Sequence, residues 1–138
     1  MSQWTHVCGV IRIDLLYEQD QDIFQNITRA FGNTCNYDSP EEAWNKCTVP
    51  KGSECSIQYK IAKTGSEHSS AWGLVYLWGD LRDYENYTEI YEWIKKACKD
   101  FAVRSCCVKI DVEFKDSYLV MDNWRKECGI PKLDLIKL

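Results

Sequence analysis

Four groups of residues in this chain have types and spacing that could do chemistry. His6 and Cys8 are two apart in an alternating stretch, so both project to one side of a strand. A thiol and a base there would form a nucleophilic pair, but i and i+2 on a strand are ~7 Å apart, beyond the ~3 Å that proton transfer wants. The second histidine, His68, sits in a polar loop. The second group is the cysteines, eight in number: Cys8, Cys35, Cys47, Cys55, Cys98, Cys106, Cys107 and Cys128. No Cys-x-x-Cys pair occurs, and structural zinc sites usually supply one, so no metal site is assigned. Adjacent Cys106 and Cys107 point to opposite faces of a strand and would not share an ion.

The third group is acidic. Asp80, Asp83 and Glu85 flank Arg82 after an apolar run. Such a cluster could hold a cation or supply an acid and a base; more often it caps the next helix and pairs with its arginine. No Gly-rich phosphate loop accompanies it, and no catalytic residue or cofactor is assigned. The fourth group is aromatic. Trp72, Tyr76 and Trp78 share one face of a strand, with Arg12 and Lys60 as the nearest candidate cations. They suit stacking on a base with cations on its phosphate, or contact with a protein. Tyr84, Tyr87 and Tyr91 follow at helical spacing and either meet a partner or border the core.

The elements that must position these groups are legible from periodicity. Ala71 to Gly79 holds no charge and reads as a covered strand, small or aliphatic on one face and large and aromatic on the other. Before it, Trp4 to Leu16 alternates cleanly. Ile23, Phe24, Ile27, Ala30 and Phe31 form one helical face, with acids at 18–22 before it and Gly32 ending it. Ser39-Pro40-Glu41-Glu42 predicts a short helix with Ser39 as N-cap and Glu42 closing a capping box. Cys55 to Lys63 is a second strand, joined through a polar hairpin loop at 64–69 to the aromatic one. A long amphipathic helix spans about 86–100, followed by strands at 106–114 and 118–121. Residues 122–138 are too apolar to be solvated and dock on the domain or on a second copy.

At 138 residues the chain is one domain, core about 4–121 with a C-terminal extension at 122–138. Aromatics at 13% are high and need packing or a partner. A net charge of -4 disfavours a general nucleic-acid binder, and no segment of the RNA-recognition type is present. No basic region precedes an apolar stretch at the N-terminus, and no apolar run approaches the ~18 residues of a membrane span. The reading is a soluble, cytoplasmic protein with reduced thiols and no membrane contact.

The order of elements is α+β and resembles the ferredoxin-like (split βαβ) sandwich: an antiparallel sheet with two main helices on one face, plus a short extra helix and a C-terminal strand or tail. Val7, Ile11, Ile13, Ile57, Ile61, Val75, Leu77, Val108, Ile110 and Val112 would lie beneath the helices. The opposite face would carry His6, Cys8, Arg12, Asp14, Gln58, Lys60, Trp72, Tyr76, Trp78, Lys109, Asp111 and Glu113. Residues 4–14 (Trp-Thr-His-Val-Cys-Gly-Val-Ile-Arg-Ile-Asp) and 78–84 (Trp-Gly-Asp-Leu-Arg-Asp-Tyr) resemble segments of small phage accessory proteins. That resemblance implies a protein that acts on a host component in the host cytoplasm, as an inhibitor of a bacterial defence system. The expectation is a non-enzymatic protein that binds a protein target through Arg12, Lys60, Trp72, Tyr76, Trp78, Tyr84, Tyr87 or Tyr91. The alternative is a small-molecule or nucleotide binder on the aromatic face. A homodimer and an unrecognised enzyme around Asp80 and Asp83 are further readings.

Overall fold

The computed structural model describes residues 2–14, 23–64, 72–123 and 132–138, with the backbone alone described for Ile23, Thr64 and Trp72. The acids at 18–22, most of the hairpin loop with His68, and Trp124, Cys128 and Ile130 lie outside the described residues. The elements are β1 (Trp4–Asp14), α1 (Ile23–Phe31), α2 (Glu41–Lys46), β2 (Gln58–Thr64), β3 (Trp72–Arg82), α3 (Tyr87–Cys98), β4 (Val103–Val112), β5 (Ser117–Asn123) and β6 (Lys132–Lys137). The six strands form one sheet in the order β2-β3-β1-β4-β5-β6, and every neighbouring pair is antiparallel. The fold is α+β.

Period-two alternation sends one set of side chains to each face of this sheet. Val7, Ile11 and Ile13 of β1, Val75 and Leu77 of β3, and Val108 and Ile110 of β4 join one core with Ile27 and Phe31 of α1 and Ile90 and Ile94 of α3. Ile57 is fully buried just before β2 begins, and Ile61 is half-buried at that edge. Phe31 ties the helices to the sheet edge. Its ring meets Trp93 edge-on at 5.5 Å and Tyr59 at 5.6 Å, and the Trp93 indole N–H donates to the Phe31 carbonyl. Gly32 then ends α1 at a φ of +100, a conformation that L side chains rarely adopt.

Several local expectations need correction. Ser39 does not cap α2. Its hydroxyl accepts the Asn36 N–H at 2.9 Å, closing the preceding turn, and α2 starts two residues later with no side-chain cap. β4 begins at Val103 and ends at Val112, so Phe114 is not in a strand; it sits in the β4–β5 turn at a φ of +62, 81% exposed. Asp14 does not lie open. The register shifts opposite Arg12 and Ile13, leaving Arg104 as the additional residue of β4. Arg104 clamps the Asp14 carboxylate at 3.0 Å, and Asp14 is buried. The C-terminal extension adds a sixth strand, antiparallel to β5.

Candidate interaction face

The face of the sheet opposite the helices is the candidate site. Backbone register arranges its side chains in rows that cross the strands. One row runs Lys60, Tyr76, Val10, Cys107, Met121, Asp134 from β2 to β6. The next runs Gln58, Trp78, Cys8, Lys109, Leu119, Ile136. At ~4.8 Å between strands, six strands make each row roughly 24 Å long. Large apolar side chains stand open here: Tyr76 is 42%, Trp78 46% and Ile136 42% exposed. Val10, Leu119 and Met121 are half-buried between them, and Cys8 and Cys107 are exposed. Scattered exposed hydrophobes are ordinary; a contiguous band across a whole sheet is the signal of a contact surface.

The two margins of the band differ in charge. On one side Arg12 is exposed, paired in register with Leu74. On the other, the register sets His6 between Asp80 and Asp111. The His6 ring bridges two carboxylates: Nδ1 lies 2.6 Å from Asp80 Oδ1 and Nε2 lies 3.0 Å from Glu113 Oε1. The hydrogen bond to Asp80, then that to Glu113, hold the His6 pKa above its ordinary value. Ser117 donates to Asp111 at 2.5 Å. This margin carries three carboxylates and one imidazole. Both ring nitrogens of His6 are occupied by acids on different sides, so no common centre is left for an ion. Among the described residues no group of three or more His, Cys, Asp or Glu is placed to hold a metal.

Of the residues expected to make contacts, Tyr76 and Trp78 stand side by side on β3, Lys60 is exposed opposite Tyr76, and Arg12 is exposed at the margin. Trp72 belongs to β3 by its backbone, and its side chain lies outside the described set. The three tyrosines do not join them. Tyr84 is 9% exposed and part of the core, so it presents no contact surface. Tyr87 stacks on Tyr118 with ring centroids 3.8 Å apart. Tyr91 donates to the Leu133 carbonyl at 2.7 Å, with Lys95 over its ring. Tyr87 and Tyr91 therefore fasten β5 and β6 to α3.

The acidic cluster is divided among separate partners. Asp80 binds His6, Asp83 accepts from Ser53 at 3.0 Å, and Glu85 pairs with Lys115 at 2.5 Å. Arg82 is bonded to Glu54, donates to Ser2 and, as the sequence suggests, pairs with an acid of the cluster, Asp83, at 3.8 Å. No two of these acids share a reacting centre. His6 and Cys8 likewise make no pair, because the ring is committed to carboxylates. Sequence reasoning missed Val10, Leu119, Met121 and Ile136 as members of the face. Val10 was legible from its parity in β1; the other three depend on β5 and β6 extending the sheet.

The cavities described lie away from this face. One of about 430 Å³ is at the β4–β5 turn beside Phe114, one of about 500 Å³ is between α1 and α2, and one of about 390 Å³ is at Arg29 and Phe101. Among the described residues no helix is long and apolar enough to cross a membrane. No protein-family model, curated protein or solved structure matches the chain.

Proposed function

We propose that this chain is a non-enzymatic binding protein that docks a protein partner on the open face of its sheet. The observation that carries this reading is the adjacent exposure of Tyr76 and Trp78, from which Val10, Cys107, Met121 and Leu119 lead across the sheet to Ile136 on the far edge. A flat band of this kind suits a protein surface better than a small molecule, which wants a concave site. Its acidic margin at Asp80, Asp111 and Glu113 favours a partner whose apolar patch is bordered by basic groups.

The strand order β2-β3-β1-β4, with α1 and α3 packed into one core with it, supports a ferredoxin-like split βαβ unit extended by the β5–β6 hairpin. Such units leave the face opposite their helices free for binding, although the fold alone names no partner. The resemblance of residues 4–14 and 78–84 to phage accessory proteins supports a host component, a bacterial defence protein, as the target that docking inhibits in the host cytoplasm.

A photo-crosslinking residue at Tyr76, in the full chain expressed in a bacterial host, tests this. The expected result is a discrete adduct with another protein that disappears when Trp78→Ala is added. No adduct, or one indifferent to Trp78, overturns the reading. An adduct with a second copy replaces the partner by a homodimer. Quenching of tryptophan fluorescence by a nucleotide, with Lys60→Ala abolishing it, would select the nucleotide alternative instead.

A further inference from the structure

Between α1 and β2 the chain doubles back on itself, and its hydrogen bonds gather three cysteines. The Asn33 carbonyl accepts the Thr48 and Val49 N–H groups at 3.0 and 3.3 Å, and the Asn33 side chain donates to the Lys46 carbonyl. The Cys35 carbonyl accepts the Ser56 N–H at 3.1 Å, while the Cys35 N–H donates to the Ser56 hydroxyl at 2.9 Å. Cys35 is thus pinned between the segment holding Cys47 and the segment holding Cys55. The Cys47 thiol donates to the Val49 carbonyl at 3.6 Å, beside the backbone bonds to Asn33, and is close enough to Cys35 for the two thiols to interact electrostatically. Cys55 Sγ lies 3.6 Å from the Cys35 carbonyl.

These thiols differ in access. Cys35 is 1% exposed, whereas Cys47 is half-buried. Burial and then the neighbouring Cys47 thiol push the Cys35 thiol up to about 11, so it stays protonated at neutral pH and is a poor first nucleophile. The pair Cys98 and Cys106 is buried at both members, and the exposed Cys8 and Cys107 sit in different register pairs on the open face. The enclosed helix α2 also has no buried residue and no side-chain N-cap, so its flanks hold it in place.

We propose that Cys47 and Cys35 form a peroxide-oxidisable dithiol, with Cys47 attacking and Cys35 resolving. The Cys47 thiolate attacks one oxygen of a hydroperoxide, the O–O bond breaks, and water or an alcohol leaves with a proton. Cys47 is then a sulfenic acid. The Cys35 sulfur attacks the Cys47 sulfur, the S–O bond breaks, and a second water leaves with the Cys35 proton. The peroxide is reduced by two electrons and the dithiol becomes a disulfide. That bond would close residues 35–47 around α2 and staple it to the edge of the sheet.

The test uses hydrogen peroxide on the full reduced chain, followed by alkylation under denaturing conditions and tryptic mapping. Trypsin places the three cysteines on separate peptides, 30–46, 47–51 and 52–60. The expected first product is a chain lighter by two hydrogens with 30–46 linked to 47–51, reversed by dithiothreitol. It should melt higher by on the order of 10 °C, as expected for cross-linking a short loop. Cys55→Ser should leave the link intact, and Cys47→Ser should leave Cys35 alkylated. Linkage of Cys35 to Cys55 or to Cys128 overturns the pairing. Oxidation confined to Cys8 or Cys107, with Cys35 and Cys47 both alkylated, overturns the proposal in the native chain without reference to any variant.

Discussion

Ile11 and Arg12, Leu77 and Trp78, Ile110 and Asp111 are neighbours in sequence and lie on opposite sides of one sheet. Ile11 and Ile110 have no exposed surface, while Trp78 keeps nearly half of its own. The covered face is built from β-branched and aliphatic side chains of similar size that interdigitate with Ile27, Phe31, Ile90 and Ile94. The open face mixes large aromatics with cations and acids, and nothing in that mixture packs efficiently against a helix. Burial of the first set accounts for folding; exposure of the second must be retained for another reason. The difference separates residues that specify the fold from residues available for contact, without any appeal to a known relative.

The largest effect should come from truncating the covered face. Ile110→Ala opens a cavity beneath α3 and should cost about 2–5 kcal/mol in urea unfolding. Trp78→Ala and Tyr76→Ala, on the other side of the same sheet, should each cost less than about 1 kcal/mol. If Trp78→Ala is as damaging as Ile110→Ala, the open face is packed within the chain and is not a contact surface.

The two faces were readable from sequence because parity in a strand needs no long-range information: Val75 and Tyr76 declare their sides by alternation alone. The α1 stripe and its Gly32 stop were readable for the same local reason. What was not readable depended on pairing between distant segments. Asp14 looks exposed by parity, and only the irregular register opposite Arg104 buries it. The His6 bridge needed Asp80 of β3 and Glu113 after β4 to arrive on the same side of β1. Tyr87 and Tyr91 have the spacing of a free helix edge, and their rings are occupied because β5 and β6 come to lie beside them. Ser39 carries a capping signature that a competing turn at Asn36 consumes.

A smaller effect separates the C-terminal hairpin from the rest of the covered face. β6 is the outermost strand, and its fastening to α3 includes one tyrosine hydroxyl on the Leu133 carbonyl. Tyr91→Phe deletes that bond and keeps the ring. The expected loss is about 1 kcal/mol, read as roughly fivefold faster amide exchange in β6 with β1 and β3 unchanged. Equal acceleration across the sheet would mean that β6 opens only with the whole domain, and the distinction between hairpin and core would disappear.

The smallest effect belongs to the margin of the open face. His6 is held by Asp80 and Glu113, and both hydrogen bonds raise its folded pKa above 6.5, the value expected in the unfolded chain. The protonated ring is therefore favoured by folding. Its contribution is complete below about pH 6.5 and is lost as pH rises through the folded pKa. His6 is 41% exposed at its side chain, so solvent screening keeps the contribution to about 0.5 kcal/mol or less. Unfolding by urea at pH 6 and pH 8 should show wild type losing slightly more stability over that interval than His6→Gln does. The His6 imidazole resonances of wild type should titrate above 6.5, and Asp80→Asn should move that midpoint down more than Glu113→Gln does, following the order of the two bonds. A midpoint below 6.5 would mean that the acidic margin is not assembled around His6, and the charge asymmetry used to describe the partner would fall with it.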